Sequence, residues 1–201
     1  MENHKKIILI LAIFVAVLVG AGLLYSRLAP QFTQDPLATV GTQPTENTQG
    51  TTESTQQTTE STRQNLAPDF TVYDAQGNPV RLSDYFGKPI VLNFWASWCG
   101  PCQMEMPDFE EKYQELGGDV QFLMVNMTDG DRETVEKAAA FIAQKGYTFP
   151  VFFDTQLEAA TTYSAYSLPM TFFIDSSGNL IARAVGAIDG ETLQRGIDMI
   201  Q

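Results

Sequence analysis

Three regimes of hydrophobic patterning succeed one another along the chain. Ile7 to Leu24 is an unbroken apolar run of 18 residues, with Lys5 and Lys6 before it and Tyr25, Ser26 and Arg27 after it. That is about the length needed to cross the hydrocarbon core of a bilayer. Residues 29–66 are dominated by Thr, Gln, Ser and Glu, as in the stretch from Thr51 to Glu60. From there on Phe, Tyr, Trp and Val return in short patterned blocks. The first regime predicts an uncleaved transmembrane anchor. A cleaved signal peptide is the competing reading, but its apolar region runs only about 7–15 residues and ends at a small-x-small site. Neither Ala21 nor the stretch to Ala29 offers such a site. Two lysines before the span against one arginine after it place the N-terminus in the cytoplasm and everything from about Arg27 outside it. The second regime predicts a disordered linker, which as a flexible coil spans roughly 35 Å. The division is therefore an anchor over 1–28, a linker over 29–66 and one compact domain over 67–201.

Within that domain the periodicities alternate. Phe70 to Tyr73, the Gly77-Asn78-Pro79 turn and Val80 to Leu82 predict a hairpin. Ile90 to Trp95 is apolar at nearly every position, as a strand buried on both faces would be. Pro101 to Leu116 is helical and stops at Gly117-Gly118. Val120 to Asn126 predicts a strand, Glu133 to Gln144 a helix ended by Gly146, Val151 to Phe153 a short strand, and Leu157 to Tyr163 a short helix. Thr171 to Asp175 and Leu180 to Val185 flank the turn Ser176-Ser177-Gly178-Asn179 as a second hairpin, and Glu191 to Ile200 predicts a closing helix. Strands alternating with helices and then an antiparallel hairpin imply a mixed sheet covered on both faces.

Composition narrows the chemistry. Twelve Lys and Arg against 24 Asp and Glu give a net charge of −12, which excludes the clustered positive charge of a nucleic-acid binder. The one histidine is His4, beside the N-terminus, and the two cysteines are Cys99 and Cys102. A closed zinc site would need ligands that these residues do not supply. Ser-His-Asp and Cys-His mechanisms would need a histidine in the folded region. The available chemistry is that of thiols, carboxylates and backbone, and neither a metal nor a cofactor is expected.

Both cysteines lie in Trp98-Cys99-Gly100-Pro101-Cys102, after a buried-strand pattern and at the start of a helix. A cysteine there meets unpaired backbone N–H groups and the positive end of the helix dipole, both of which favour the thiolate. Pro101 suits the first helical turn, where its missing N–H is not needed. Cys99 is accordingly the expected nucleophile, and Cys102, one turn further in, the thiol that resolves a mixed disulfide. A purely structural bridge would close too short a loop to stabilise much chain. Trp95 falls in the apolar strand as core, whereas Trp98 flanks the site. Glu105, three residues after Cys102, either lies exposed on the helix or projects toward the thiols; in the second case its charge raises the pKa of Cys102 and offers a route for the proton. Pro107, inside the helix, removes one backbone hydrogen bond and is expected to bend it.

The block from Val91 to Pro107 resembles the active-site segment of thioredoxin-fold proteins, specifically the membrane-tethered TlpA/ResA-type thiol-disulfide oxidoreductases of the AhpC/TSA–redoxin superfamily. The resemblance covers residues 66–201. Leu66-Ala67-Pro68-Asp69-Phe70 is similar to the family's entry motif, Val125 to Asp154 to its helical insertion, and Tyr166 to Asp175 to its cis-proline strand. It implies an α/β thioredoxin fold with an N-terminal β-hairpin and a central helical insertion. It also implies that Pro169 is cis, lies against the cysteines and turns the backbone at Leu168 to pair with an extended substrate; from the residues alone, a trans proline opening an edge strand stands beside that reading. Met170 stands where the family often has Thr, a departure bearing on which substrate side chains fit. The Cys-x-x-Glu-Met-Pro arrangement supports the proton role of Glu105, and Asn93 occupies the position where thioredoxin carries a buried Asp. The expected site is thus Cys99, Cys102 and Glu105 for chemistry, with Trp98, Gly100, Pro101, Leu168, Pro169 and Met170 around the substrate.

These readings combine into an anchored extracytoplasmic enzyme that exchanges disulfides with proteins, with reduction favoured because Gly-Pro between the cysteines matches thioredoxin. The resemblance implies a membrane electron donor of the CcdA/DsbD kind and, as one family substrate, apocytochrome c. Two alternatives stand beside it: a thioredoxin-fold peroxidase, against which Asn93 to Trp98 lack the Pro-x-x-x-Thr-x-x-Cys context, and a non-catalytic tethered module that binds extended peptides.

Overall fold

A computed structural model describes Leu18, residues 36–40 and residues 65–201. The chain divides into two units, Met1–Asp35 and Pro36–Gln201, of which the second contains the whole sheet. Apart from Leu18, the expected membrane span lies outside the described residues, as does most of the expected linker; among the described residues no helix is long and apolar enough to cross a membrane.

Eight strands form one sheet: β1 (Leu37–Thr39), β2 (Thr71–Tyr73), β3 (Pro79–Arg81), β4 (Ile90–Trp95), β5 (Gln121–Asn126), β6 (Val151–Phe153), β7 (Met170–Ile174) and β8 (Leu180–Val185). Their spatial order is β1-β8-β7-β4-β5-β6-β2-β3. Four α-helices accompany them among the described residues: α1 (Gly100–Leu116), α2 (Val135–Lys145), α3 (Glu158–Thr162) and α4 (Gly190–Asp198). β4 pairs in parallel with β5, from Ile90 opposite Gln121 to Trp95 opposite Asn126, and antiparallel with β7, from Ile90 opposite Ile174 to Phe94 opposite Met170. A strand with partners on both edges and cover on both faces can expose nothing, so all six residues of β4 are buried.

The two-residue period of β4 sorts its side chains into two cores. Val91 and Trp95 join Met106 and Phe109 of α1 and Leu193 and Ile197 of α4 on one face. Ile90, Leu92 and Phe94 join Phe70, Val72 and Ala159 of the hairpin and α3 region on the other. There Phe70, Phe94, Tyr163 and Phe172 meet edge-on or tilted, with ring centroids 4.8 Å apart for Tyr163 and Phe172, and the Tyr163 hydroxyl donates to the Pro68 carbonyl at 3.0 Å. α1 buries Cys102, Glu105, Met106 and Phe109, the i, i+3, i+4, i+7 stripe of an amphipathic helix. It runs on unbroken past Pro107, whose residue lies on the exposed side.

Two departures from the sequence-based expectation are informative. Leu37–Thr39, within the stretch expected to be a disordered linker, is instead an edge strand antiparallel to β8, with Leu37 opposite Ala184 and Thr39 opposite Ala182. β8 would otherwise present an unpaired row of backbone groups at the edge of the sheet, and Leu37 adds an apolar side chain to the α1 face. The helix expected from Glu133 begins at Val135, because Thr134 caps it by accepting the Lys137 N–H and Glu133 turns inward. Gly146 ends that helix in the left-handed region at φ 73°, as its sequence position predicts.

α4 packs so closely on β7 that a Cβ on Gly196 would collide with the ring of Phe173. The ring is fully buried and has no room to yield. Gly196→Ala is expected to destabilise the domain by roughly 1–3 kcal/mol, read as a lower urea midpoint; an unchanged midpoint would show that α4 is free to shift.

Candidate active site

β4, a central strand, ends at Trp95, and Ala96 to Trp98 carry the chain to Cys99, which caps α1. The cap residue is extended, at φ −82° and ψ 105°, and its Sγ accepts the Cys102 N–H at 3.2 Å. Serine or aspartate oxygen commonly fills this position. Here a sulfur does, facing the free N–H groups and the positive end of a 17-residue helix. Cys99 and Cys102 form a disulfide with Cα atoms 5.3 Å apart. Cys102 is fully enclosed while Cys99 is 5% exposed, so an incoming thiolate meets Cys99 first. Pro101 sits in the first helical turn, and nothing lies within 4 Å of where a Gly100 Cβ would be, leaving the approach open.

Glu105 is buried, not exposed. Facing β4, its Oε1 accepts from Asn93 Nδ2 at 2.8 Å, and its Oε2 accepts from the Ile188 N–H at 3.1 Å. Asn93 Nδ2 also donates to Thr171 Oγ1 at 3.1 Å. Asn93 shares the face of Val91 and Trp95, which is why it meets α1. Burial drives the Glu105 pKa from 4.5 up to about 7; the Ile188 and Asn93 hydrogen bonds oppose the rise and the Asp108 charge adds to it. A carboxyl poised there, one helical turn from Cys102, can take or give a proton at neutral pH.

The Leu168–Pro169 peptide is cis. Pro169 is buried, its carbonyl accepts the Gly186 N–H at 2.9 Å, and Leu168 packs against the core cluster that holds both cysteines. Since Phe94 lies opposite Met170, Pro169 stands at the same end of the sheet as the disulfide. Met170 differs from expectation. It is buried in the cluster on the hairpin face, because Thr171 takes the face toward Asn93 and its neighbour must take the other, so Met170 does not line the disulfide side. Trp98, next to Cys99 in the chain, is exposed.

Glu133 and Arg132 are among the residues at the site that the sequence does not anticipate. Glu133 is fully buried beneath the active-site loop, where Oε1 accepts from the Ser97 N–H at 2.8 Å and from Asn126 Nδ2 at 2.7 Å, and Oε2 accepts from the Ser97 hydroxyl at 2.6 Å. Gln103 Nε2 holds the Ser97 carbonyl from the other side at 2.6 Å. Next to Glu133, the Arg132 guanidinium lies 3.5 Å from the centre of the Trp98 ring, a cation–π contact. Neither residue carries a local signal, since an acidic residue ahead of a helix reads as an ordinary first-turn charge.

The model of the AhpC/TSA family matches residues 64–183. The chain belongs to the AhpC/TSA family. Within that family it is similar to the thiol-disulfide oxidoreductase ResA of Geobacillus kaustophilus, with 38% identity over 140 residues, covering 68% of this chain and 77% of the relative. Among solved structures it is similar to a putative thiol:disulfide interchange protein DsbE of Chlorobium tepidum, with 31% identity, a TM-score of 0.59, and coverage of 66% of this chain and 93% of the other. It is likewise similar to the exposed lipoprotein thioredoxin Etrx1 of Streptococcus pneumoniae, with 34% identity, a TM-score of 0.56, and coverage of 65% and 98%. This AhpC/TSA protein is a thioredoxin-fold thiol-disulfide oxidoreductase, and Cys99–Cys102 is its one cysteine pair.

The raised pKa of Glu105 disfavours the carboxylate in the fold, so its contribution to stability is full below about pH 4.5 and lost as pH rises through about 7. Glu105→Gln is therefore expected to match wild type in stability near pH 4 and to exceed it by up to about 3 kcal/mol at pH 8. Chemical denaturation of the two proteins across that range checks the difference; a constant difference would show that the buried carboxyl is not titrating as its surroundings require.

Proposed function

We propose that this thiol-disulfide oxidoreductase reduces disulfides of protein substrates outside the cytoplasm, held at the membrane by residues 7–24. The observation that carries the chemistry is the Cys99 sulfur on the N-terminus of α1, accepting the Cys102 N–H at 3.2 Å. That hydrogen bond and the helix dipole stabilise a Cys99 thiolate. The thiolate attacks a substrate disulfide, and Cys102 then attacks Cys99 and releases the reduced substrate. Glu105 is the proton partner of Cys102, and the cis-proline segment at Leu168 and Pro169 presents backbone to an extended substrate. Gly-Pro between the cysteines supports the reducing direction, as thioredoxin has the same pair and a potential near about −270 mV. Regeneration outside the cytoplasm calls for a membrane thiol donor of the CcdA/DsbD type, and reduction of apocytochrome c is one substrate consistent with the relatives' class.

In Cys102→Ser the second step is removed, so the full-length protein expressed in its native membrane is expected to accumulate as a mixed disulfide at Cys99. Mass spectrometry of the thiol-sensitive adduct identifies the partner. A folded variant with an alkylatable Cys99 and no disulfide-linked protein would overturn the proposal.

A further inference from the structure

Two buried side-chain polar atoms among the described residues have no hydrogen-bond partner, and one of them is Asn93 Oδ1. The same amide spends its Nδ2 on both Glu105 Oε1 and Thr171 Oγ1. An orphan acceptor fully enclosed beside a carboxyl group that exchanges protons invites an explanation, since a buried unpaired polar atom is rare.

The explanation lies in what happens when Glu105 takes a proton. Oε2 faces the Ile188 N–H, a backbone donor that cannot reverse, so the acid proton belongs on Oε1. Oε1 faces Asn93 Nδ2, also a donor, and two donors would then oppose each other. Turning the Asn93 amide by half a revolution removes the conflict. Oδ1 then accepts from the protonated Oε1 and can accept the Thr171 hydroxyl, while Nδ2 becomes the unpaired atom. Each orientation makes two hydrogen bonds and leaves one amide atom unsatisfied, so the protonation of Glu105 decides between them. We propose that Asn93, steadied by Thr171, is a two-position amide switch that follows the proton of Glu105 and keeps that carboxyl hydrogen-bonded between β4 and the Ile188 N–H in both states.

The switch rests on the proposed pairing of Glu105 with Cys102. In the resolving step the Cys102 thiol gives its proton to the Glu105 carboxylate, and the freed sulfur electron pair forms the bond to Cys99 Sγ. The Cys99–substrate S–S bond breaks, its electron pair leaves on the substrate sulfur, and the cysteine pair is oxidised by two electrons as the substrate is reduced. Asn93 keeps Glu105 hydrogen-bonded before and after the transfer, so the protonated acid is never left facing a donor. Around Glu105 the titratable neighbours are Cys102 and Asp108 on its own helix. β4, β7 and the segment before α4 present Asn93, Thr171 and the Ile188 N–H, none of which titrates, and Asp189 is engaged in capping α4 through the Thr192 N–H.

The test is a pH titration by NMR of the oxidised full-length chain in detergent, labelled with 15N-asparagine and 13C-glutamate. The Asn93 side-chain amide, assigned through its proximity to Thr171, is expected to shift with the same midpoint as the Glu105 carboxyl carbon. In Glu105→Gln, a permanent donor at this position, it is expected to hold the low-pH value throughout. An Asn93 signal that stays fixed with pH, whether or not Glu105 titrates, overturns the switch. In Asn93→Leu the carboxylate loses a charge-assisted donor, and the Glu105 midpoint is expected to rise by about one to two pH units; an unchanged midpoint tells equally against it. These readings are made without substrate, so they stand apart from the trapping of a partner at Cys99.

Discussion

A sulfur atom in the place of a helix-capping oxygen is the interaction on which the site depends. Cys99 Sγ accepts the Cys102 N–H at the positive end of α1, with Cys99 toward solvent and Cys102 enclosed behind it. The contact exists because β4, buried at every position, ends at Trp95 and only the short loop Ala96 to Trp98 separates it from the Cys99 cap of α1. The strand's burial supplies the rigidity, and the helix supplies the field.

Two buried glutamates flank that contact and do different work. Glu133 accepts three hydrogen bonds, two of them from Ser97, and so fixes the loop that leads into Cys99. Glu105 accepts two, from Asn93 and from the Ile188 N–H, in a site whose burial raises its pKa to about 7. One carboxyl holds the loop in place, and the other is left able to change protonation. The Arg132 guanidinium over Trp98 extends the first arrangement to the surface, tying the loop around Glu133 to the exposed rim of the disulfide.

Much of this is legible in the sequence because it is local. The run from Ile90 to Trp95 reads as a central strand, the glycines after Leu116 and Lys145 end their helices, and the Ser176 to Asn179 turn announces its hairpin. The cysteine pair at a helix start carries its own chemistry. What stayed hidden depends on distant partners. β1 is three residues in a polar stretch, and only the open edge of β8 makes it a strand. Glu133 is buried because Ser97 and Asn126 converge on it from separate segments. Met170 turns away from the disulfide through strand parity, which emerges only when Thr171 is found against Asn93. The choice for Glu105 between exposure and burial, open in the sequence, is decided by the N–H donors of Asn93 and Ile188, which converge on its carboxyl from other segments.

In the proposed function Cys99 and Cys102 form a reducing dithiol centre. A redox titration of the full-length protein against dithiothreitol buffers at pH 7, following alkylation of the two cysteines, tests it most directly. One two-electron transition is expected, with a midpoint close to that of thioredoxin, about −270 mV. A midpoint near about −120 mV, the range of a strong oxidant, would contradict it.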